Sequence, residues 1–421
     1  MNNIIQFIEN FIKRSGSYVF TATVSSRLLS FFASWIALQL IPNKELGIVI
    51  YAFQIVSFII PIAGFGLHQG LIRYGAQLNS IEEKNNLFVY TLKKGTLVSF
   101  ILIGLVILSA VIFTFENQKT SLYLILLSFS ILTHYLLELI KIQFRLLKNN
   151  KKYSYVELTY NILLVILVFV LSYYFKELGY AIAITLVPIL VSLVFIKKLN
   201  INWKTSEKLS IVNFSFWKYG FFASLSNVTT QLLVSIDIIL IGNILNNMEL
   251  VTAFKYVTLI PFSLVFLSQV FMITDFVDFT EKINNKKYIY NYIKNYMLLF
   301  LTISIVCIGF LYFFGKYFLS IFDSNYIKYQ KSLIVLTIGV SGILILRGLF
   351  GNLLSSIGKA HINFIITLIA VVLNIYLNYQ LIHKYGIYGA AITSSIIMWF
   401  TGVLSLLFFF YYFKKIKTFD N

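Results

Sequence analysis

Residues 217–245 read WKYGFFASLSNVTTQLLVSIDIILIGNIL, from Trp217 to Leu245. The stretch is apolar and long enough to cross a bilayer, which takes about 20 residues at about 1.5 Å of rise each. It nevertheless carries Asn227, Thr230 and Asp237, spaced i, i+3 and i+10 and read as one polar face. A carboxylate on a spanning helix costs roughly 2.5–3.5 kcal/mol unless it meets protein, water or a cation. The stretch follows a basic loop just past the middle of the chain. It therefore reads as the first helix of a second half, with its polar stripe predicted to face a cavity between two halves.

Working outward, the same apolar character recurs along all 421 residues, of which 59% are hydrophobic and 12% charged. The mean hydropathy is +0.83. A soluble fold has no use for that much apolar surface, so the chain reads as an all-α polytopic membrane protein. The pattern gives about twelve spans between residues 17 and 412, joined by short connections with no inserted soluble domain. Residues 3–14, NIIQFIENFIKR, read as an amphipathic helix lying on the membrane surface. The first apolar span is long and lacks a small-residue cleavage site, so no signal peptide is expected.

The net charge of +18 would suit nucleic acid, but its distribution argues otherwise. With the N-terminus placed in the cytoplasm, 24 of the 34 Lys and Arg residues fall in inward connections and 7 in outward ones. That asymmetry predicts cytoplasmic termini and no nucleic-acid partner. The single cysteine, Cys307, excludes an internal disulfide.

An internal repeat appears at an offset of 208. Lys176-x3-Tyr180-x2-Ala183-Ile184-Thr185 matches Lys384-x3-Tyr388-x2-Ala391-Ile392-Thr393, and Leu146 and Lys151 pair with Leu354 and Lys359. Six spans separate the copies, so the halves share one orientation in the membrane. The expected domains are residues 1–205 and 206–421, each a six-helix bundle. Pro61 and Pro261 fall in the second span of each half, where proline removes a backbone bond and kinks the helix.

Three basic residues lie within spans: Arg27, Lys255 and Arg347. Arg27 is near the middle of the first span and shares its face with Thr23, Ser30 and Ser34. Arg73 ends the second span, in GFGLHQGLIRYG. Arginine suits phosphate because its planar fork donates two hydrogen bonds at once. Arg27, Arg347 and Arg73 are accordingly the candidates for an anionic ligand, against structural pairing or headgroup anchoring. Asp237 and Lys255 flank a short connection and are candidates for coupling or gating, or for a structural pair. On the fourth span His134, Glu138, Lys141 and Arg145 form one polar face, and Glu138 with Lys141 is expected to line an inner vestibule. Asn374 and Asn378 share a face that reads as helix–helix glue. No phosphate-binding glycine loop, metal-ligand cluster or nucleophile–base pair is present, so neither an ATPase nor a metal site is expected.

Three stretches carry a family resemblance: FWKYGFFASLSN followed by SIDIILIG; GFGLHQGLIRYG; and SSIGKAH followed by VVLNIYLNYQLIHKYGIYGAAITSS. They resemble the Wzx-type oligosaccharide flippases of the multidrug/oligosaccharidyl-lipid/polysaccharide exporter superfamily, over essentially the whole chain. The resemblance implies two parallel-repeat six-helix bundles around a central cavity, a MATE-like fold. It implies translocation of a polyprenyl-diphosphate-linked oligosaccharide from the cytoplasmic to the periplasmic leaflet of the bacterial inner membrane. It also implies a role beside polysaccharide polymerase machinery and, in at least some members, coupling to protons or sodium ions. No cofactor is implied. Asp237 matches the aspartate of the seventh-helix pattern. Two rivals stand beside this reading. A cation-coupled multidrug exporter of the same superfamily would want acidic residues in its cavity, whereas here the intramembrane balance is basic. A membrane polysaccharide polymerase or ligase would carry a large outer loop, whereas the longest such connection, Gly315 to Tyr329, is about 15 residues.

Overall fold

The computed structural model describes residues 17–113, 118–199, 201, 203, 209 and 211–415. The expected surface helix at residues 3–14 and the domain boundary at 205/206 lie outside the described residues.

Among the described residues every regular element is helical. In order they are α1 (Ser17–Leu40), α2 (Asn43–Ser57), a 3-10 segment (Ile60–Gly66), α3 (Leu67–Gly75), α4 (Ile81–Ile112), α5 (Gln118–Ser128), α6 (Ser130–Leu146) and α7 (Asn150–Ile196). There follow α8 (Phe214–Leu245), α9 (Met248–Ser263), α10 (Val265–Glu281), α11 (Lys286–Phe322), α12 (Gln330–Gly342), a π-helical turn (Ile343–Arg347), α13 (Gly348–Ser356), α14 (Ala360–Tyr385) and α15 (Ile387–Phe413).

Short polar residues start these helices by satisfying the free N–H groups of the first turn. Asn149, Asn213 and Asn285 accept from the amides of Lys152, Phe216 and Tyr288 at 3.0, 3.1 and 3.0 Å. Ser80 and Glu83 make a reciprocal capping box on α4.

Ten helical segments among the described residues are long and apolar enough to span a membrane. One of them, Lys151–Leu199, runs for 49 residues, more than twice a bilayer crossing. It breaks at Lys176, where φ is 50° and ψ −128°. Counted as two, and joined by the shorter apolar stretch Val24–Leu40, these make the expected twelve. The connection Gly315–Tyr329 is helical: α11 runs on to Phe322, and Ser324–Tyr329 is a 3-10 turn.

The chain forms two compact units. The first comprises Ser25–Ile239 and Asn246–Thr252; the second comprises Leu240–Leu245 and Ala253–Asn421 with the helical residues 17–24. The first is built around the fourth span, where Leu127, Ile131, Tyr135 and Leu139 recur every four residues and are at most 2% exposed. In the second, Leu333, Leu336, Val340 and Leu344 play that part at 0–1% exposure.

Both prolines fall where a second span breaks. Beyond Pro61, Ala63 is extended and Gly64, Phe65 and Gly66 take left-handed φ values of 59°, 49° and 70°. Gly66 has no alternative there: a Cβ would lie 2.1 Å from the Gly220 carbonyl oxygen on α8. Pro261 lies in the last turn of α9, and α10 resumes after Leu264.

The repeat is present in the backbone, but at an offset of 210 rather than 208. Lys148 and Gly358 are the left-handed residues that end spans 210 positions apart, at φ 55° and 74°. Behind them Asn149 donates to the Phe144 carbonyl and Lys359 to the Leu354 carbonyl, each at 2.8 Å. Gly179 and Gly389 correspond likewise: a Cβ at either would lie 2.0 Å from a carbonyl oxygen, that of Leu171 or Leu381. The Lys-Tyr-Ile-Thr matches therefore slip by two residues from the backbone register. In a chain this rich in a few residue types, side-chain identities recur by chance, whereas a glycine demanded by a close backbone approach does not move.

Candidate functional site

In the second unit the π-helical turn Ile343–Arg347 inserts an extra residue into the tenth span, a local unwinding often found at functional sites. α15 approaches it closely at Gly402, where a Cβ would sit 2.9 Å from the Leu346 Cβ and 3.1 Å from the Gly342 oxygen. The turn delivers the half-buried Arg347 toward α14 and α15. Its Nη1 donates to Asn363 Oδ1 at 3.0 Å and to Ser405 Oγ at 2.5 Å, and its Nη2 to Thr367 Oγ1 at 3.3 Å.

Each partner is committed to accepting. Ser405 donates its own hydroxyl proton to the Thr401 carbonyl and Thr367 to the Asn363 carbonyl, both at 2.8 Å. The Asn363 amide nitrogen donates to the Gly351 carbonyl at 2.7 Å and to Ser355 Oγ at 3.2 Å, which turns its oxygen toward Arg347. Gly351 leaves room beside this group, since a Cβ there would stand 3.9 Å from the guanidinium carbon. All three partners are neutral, and Arg347 pairs with no carboxylate among the described residues. A guanidinium carries five N–H donors. Three are used, leaving Nε–H and one Nη2–H.

The other two candidates for an anionic ligand, Arg27 and Arg73, belong to the first unit. Arg27 is exposed on α1 and makes no hydrogen bond or ion pair among the described residues. Arg73, also exposed, ends α3 with its guanidinium carbon 4.1 Å from the Tyr219 ring centroid, a cation–π contact.

Glu138 and Lys141 are in contact, as their i, i+3 spacing predicts, with Oε1 and Nζ 2.7 Å apart. Glu157 of α7 completes the group at 3.0 Å from the same ammonium. His134 lies one turn before Glu138, its Nδ1 3.0 Å from the Ser130 carbonyl oxygen.

The polar face read on α8 divides. Asn227 and Thr230 are exposed, whereas Asp237 is 3% exposed within the first unit. The division is not one of face, since Thr230 and Asp237, seven residues apart, stay within about 20° of one line; it runs along the helix, two turns on. Lys255 is half-buried on α9 and belongs to the second unit. Asn374 and Asn378 are buried and bonded to each other along α14 at 2.7 Å. Among the described residues no group of three or more His, Cys, Asp or Glu side chains could hold a metal ion.

No family model matches the chain, and no curated protein matches it in sequence. Solved structures do match its backbone. One is the inward-facing conformation of a multidrug resistance MATE family transporter of the MOP superfamily, with a TM-score of 0.71 at 15% identity over 94% of this chain and 96% of the other. Another is a MOP superfamily transporter from Pyrococcus furiosus, with a TM-score of 0.67 at 14% identity over 97% and 96%. A third is a mutant of a Vibrio cholerae MATE transporter, with a TM-score of 0.62 at 14% identity over 99% of both chains. The chain has the MATE-type fold.

Within that fold the first unit holds a buried polar network that sequence reading missed. Ser57, the last residue of α2, lies 2.9 Å hydroxyl to hydroxyl from Ser235 of α8. Gln231 donates to Ser57 and Ser235 at 3.5 and 3.4 Å, and Gln54 is the fourth member. Ser224, Gln231 and Ser235 are spaced i, i+7 and i+11, within about 20° of one line. That is the face α8 turns to the second span, and the signal was present in the spacing. A second omission is Asp275 of α10, 3% exposed, which accepts from the Tyr292 hydroxyl of α11 at 3.0 Å.

Proposed function

We propose that the protein is a flippase for a polyprenyl-diphosphate-linked oligosaccharide, carrying it from the cytoplasmic to the periplasmic leaflet for surface-polysaccharide assembly. One observation carries the reading: Arg347 is a membrane-embedded guanidinium held on three neutral acceptors with two donors left over. A cation at that depth without a counter-charge calls for a mobile anion. A phosphoryl group accepts two parallel N–H bonds from one guanidinium, and its charge supplies what Asn363, Thr367 and Ser405 do not. Arg27 and Arg73 of the first unit stand as further candidates for an anionic ligand, and Asp237 and Lys255 as candidates for coupling or gating. The protein is placed in the bacterial inner membrane with both termini cytoplasmic, as the basic bias of its connections supports.

The fold is shared with multidrug resistance transporters, which supports a second reading, a cation-coupled drug exporter. A solved MOP transporter with this fold is described as having a binding pocket of reverse polarity that suggests a different function, so the scaffold does not dictate the sign of its cargo. The basic balance of the intramembrane charges here favours an anion.

Complementation in a bacterium lacking its own repeat-unit flippase separates the two. Restored surface polysaccharide by the wild type, lost in Arg347→Ala at equal membrane abundance, supports the flippase with its diphosphate site. Failure to restore any of several repeat units, together with efflux of cationic dyes, overturns it in favour of the drug exporter.

A further inference from the structure

The last turns of α15, in the second unit, form a groove of about 510 Å³ lined by Leu406, Leu407, Phe410, Tyr411, Lys414 and Lys415. Ligand sites commonly enclose about 300–1,000 Å³. Leu407, Tyr411 and Lys415 are exposed at i, i+4 and i+8, one line of the helix that is apolar at one end and cationic at the other. This is not the face that meets Arg347. Ser405, which accepts from Arg347, is fully buried, whereas Leu407 is 57% exposed two residues on, about 200° around the helix.

A neighbouring helix sets the depth of the groove. The ring of Tyr290, in the second turn of α11, stacks on Phe410 with centroids 6.2 Å apart and meets the edge of Phe413 at 5.9 Å. The start of α11 therefore lies beside the end of α15. Lys294, one turn past Tyr290, is the last charge on α11 before the apolar run MLLFLTISIVCIGF at residues 297–310. Leu406, one turn before Phe410, is roughly level with it. The groove thus straddles the boundary between the polar ends of two spans and their apolar bodies, with Lys414 and Lys415 on the polar side.

The cations at this boundary are largely unspent. Lys287 and Lys294, at i−3 and i+4 from Tyr290, share its exposed face. Lys287, Lys294 and Lys414 make no ion pair among the described residues. Lys415 donates to Tyr411 Oη at 2.8 Å, with its Nζ 4.0 Å from that ring's centroid, which holds the ammonium at the groove and leaves two donors. Lysines at helix ends in the first unit are spent differently. Lys84 donates to the Leu146 carbonyl and Lys152 to the Lys198 carbonyl, each at 3.4 Å, and Lys198 lies over the Phe195 ring at 4.6 Å. Unpaired cations at the polar end of an apolar groove, at the edge of a bilayer, complement an amphiphile with a phosphate head.

We propose that this groove binds an anionic phospholipid of the bilayer, its phosphate between the ammonium groups of Lys414 and Lys415 and an acyl chain along Leu406, Leu407 and Phe410. The site is separate from the one at Arg347 and does not depend on what the protein carries.

The test uses the full-length protein, delipidated in detergent, with dioleoyl phosphatidylglycerol, dioleoyl phosphatidylcholine and inorganic phosphate as probes. Phosphatidylglycerol is expected to raise the wild-type melting point saturably by at least about 2 °C, and the other two to leave it unchanged. Lys414→Gln/Lys415→Gln is expected to lose that rise. Lys197→Gln/Lys198→Gln, which removes the same charge just past α7, is expected to keep it. No rise in the wild type overturns the proposal, as does a rise matched by phosphatidylcholine or by inorganic phosphate. So does a rise that survives in Lys414→Gln/Lys415→Gln, or one lost equally in Lys197→Gln/Lys198→Gln, the mark of diffuse positive charge. Leu407→Gln keeps every charge and tests the apolar half on its own, including where the lysine variant gives no folded protein. Its half-saturating phosphatidylglycerol concentration is expected to rise at least about threefold, and an unchanged value overturns the proposal.

Discussion

Lys176 and Gly386 occupy one backbone conformation 210 residues apart, φ 50° with ψ −128° and φ 57° with ψ −136°. Each is the hinge between the last two spans of its half. That conformation suits glycine and strains any residue with a Cβ, by about 1–3 kcal/mol. The first half therefore stores strain at a position where the second does not. Lys176→Gly is expected to stabilise the protein by about 1 kcal/mol and Gly386→Ala to destabilise it by about as much. Thermal unfolding of the purified variants decides it; a melting point lowered by Lys176→Gly would mean that the lysine side chain compensates its backbone.

Arg347 is expected to be irreplaceable by lysine. An ammonium keeps the charge but loses the planar fork, and it cannot bond Asn363, Ser405 and Thr367 while offering two parallel donors outward. Arg347→Lys should reduce flipping at least about tenfold, which is about 1.4 kcal/mol of lost stabilisation, with folded yield near wild type. Asn363→Ala should act in the same direction but more weakly, since two of the three acceptors remain. Initial rates of surface-polysaccharide appearance in complemented cells, normalised to membrane protein, measure both. Full activity in Arg347→Lys would remove the fork from the mechanism.

The number of spans, the broken second helices and the isolated charges were legible because each follows from a local rule: apolar length, proline chemistry, the cost of a bare charge. What was not legible depended on which helix lies alongside. Glu138 and Lys141 announce each other by spacing, but Glu157 joins them from another helix. Arg347 was visible as a cation in a span. Its cage was not, because Asn363, Thr367 and Ser405 are ordinary residues until two helices place them together. Thr230 and Asp237 share a line of α8 by their i, i+7 spacing, yet one is exposed and the other buried two turns further on, because what packs against each end of a face is not written in its spacing.

Glycine substitutions in the first unit should rank by what a Cβ would meet. At Gly66 it would meet the Gly220 carbonyl oxygen at 2.1 Å in a residue with φ +70°, so both contact and backbone oppose it. At Gly220 it would lie 2.7 Å from the Gly66 oxygen, a lesser clash at ordinary φ. At Gly104 nothing lies within 4 Å. Gly66→Ala is expected to cost about 3 kcal/mol or more and Gly220→Ala about 1–3. Gly104→Ala is expected to be neutral or slightly stabilising, because alanine favours a helix interior by up to about 1 kcal/mol. Folded yield on size-exclusion chromatography with melting points gives the order; Gly66→Ala tolerated as well as Gly104→Ala would sink the close approach of the second span to α8.

The pairs that Lys119 makes with Glu45 and Glu177, at 2.8 and 3.3 Å, should behave as surface ion pairs and no more. Lys119 bridges Glu45 of α2 and Glu177 just beyond the Lys176 hinge, so it ties three helical segments together, but half of its side chain faces outward. Exposed pairs of this kind contribute about 0.2–1 kcal/mol. Their attraction fades as the screening length falls from about 10 Å at 0.1 M salt to about 3 Å at 1 M. Lys119→Ala is therefore expected to lower the melting point modestly at low salt and to converge on wild type at high salt, whichever monovalent cation is used. A loss undiminished at high salt would mean that the lysine acts through packing of its apolar stem rather than through its charge.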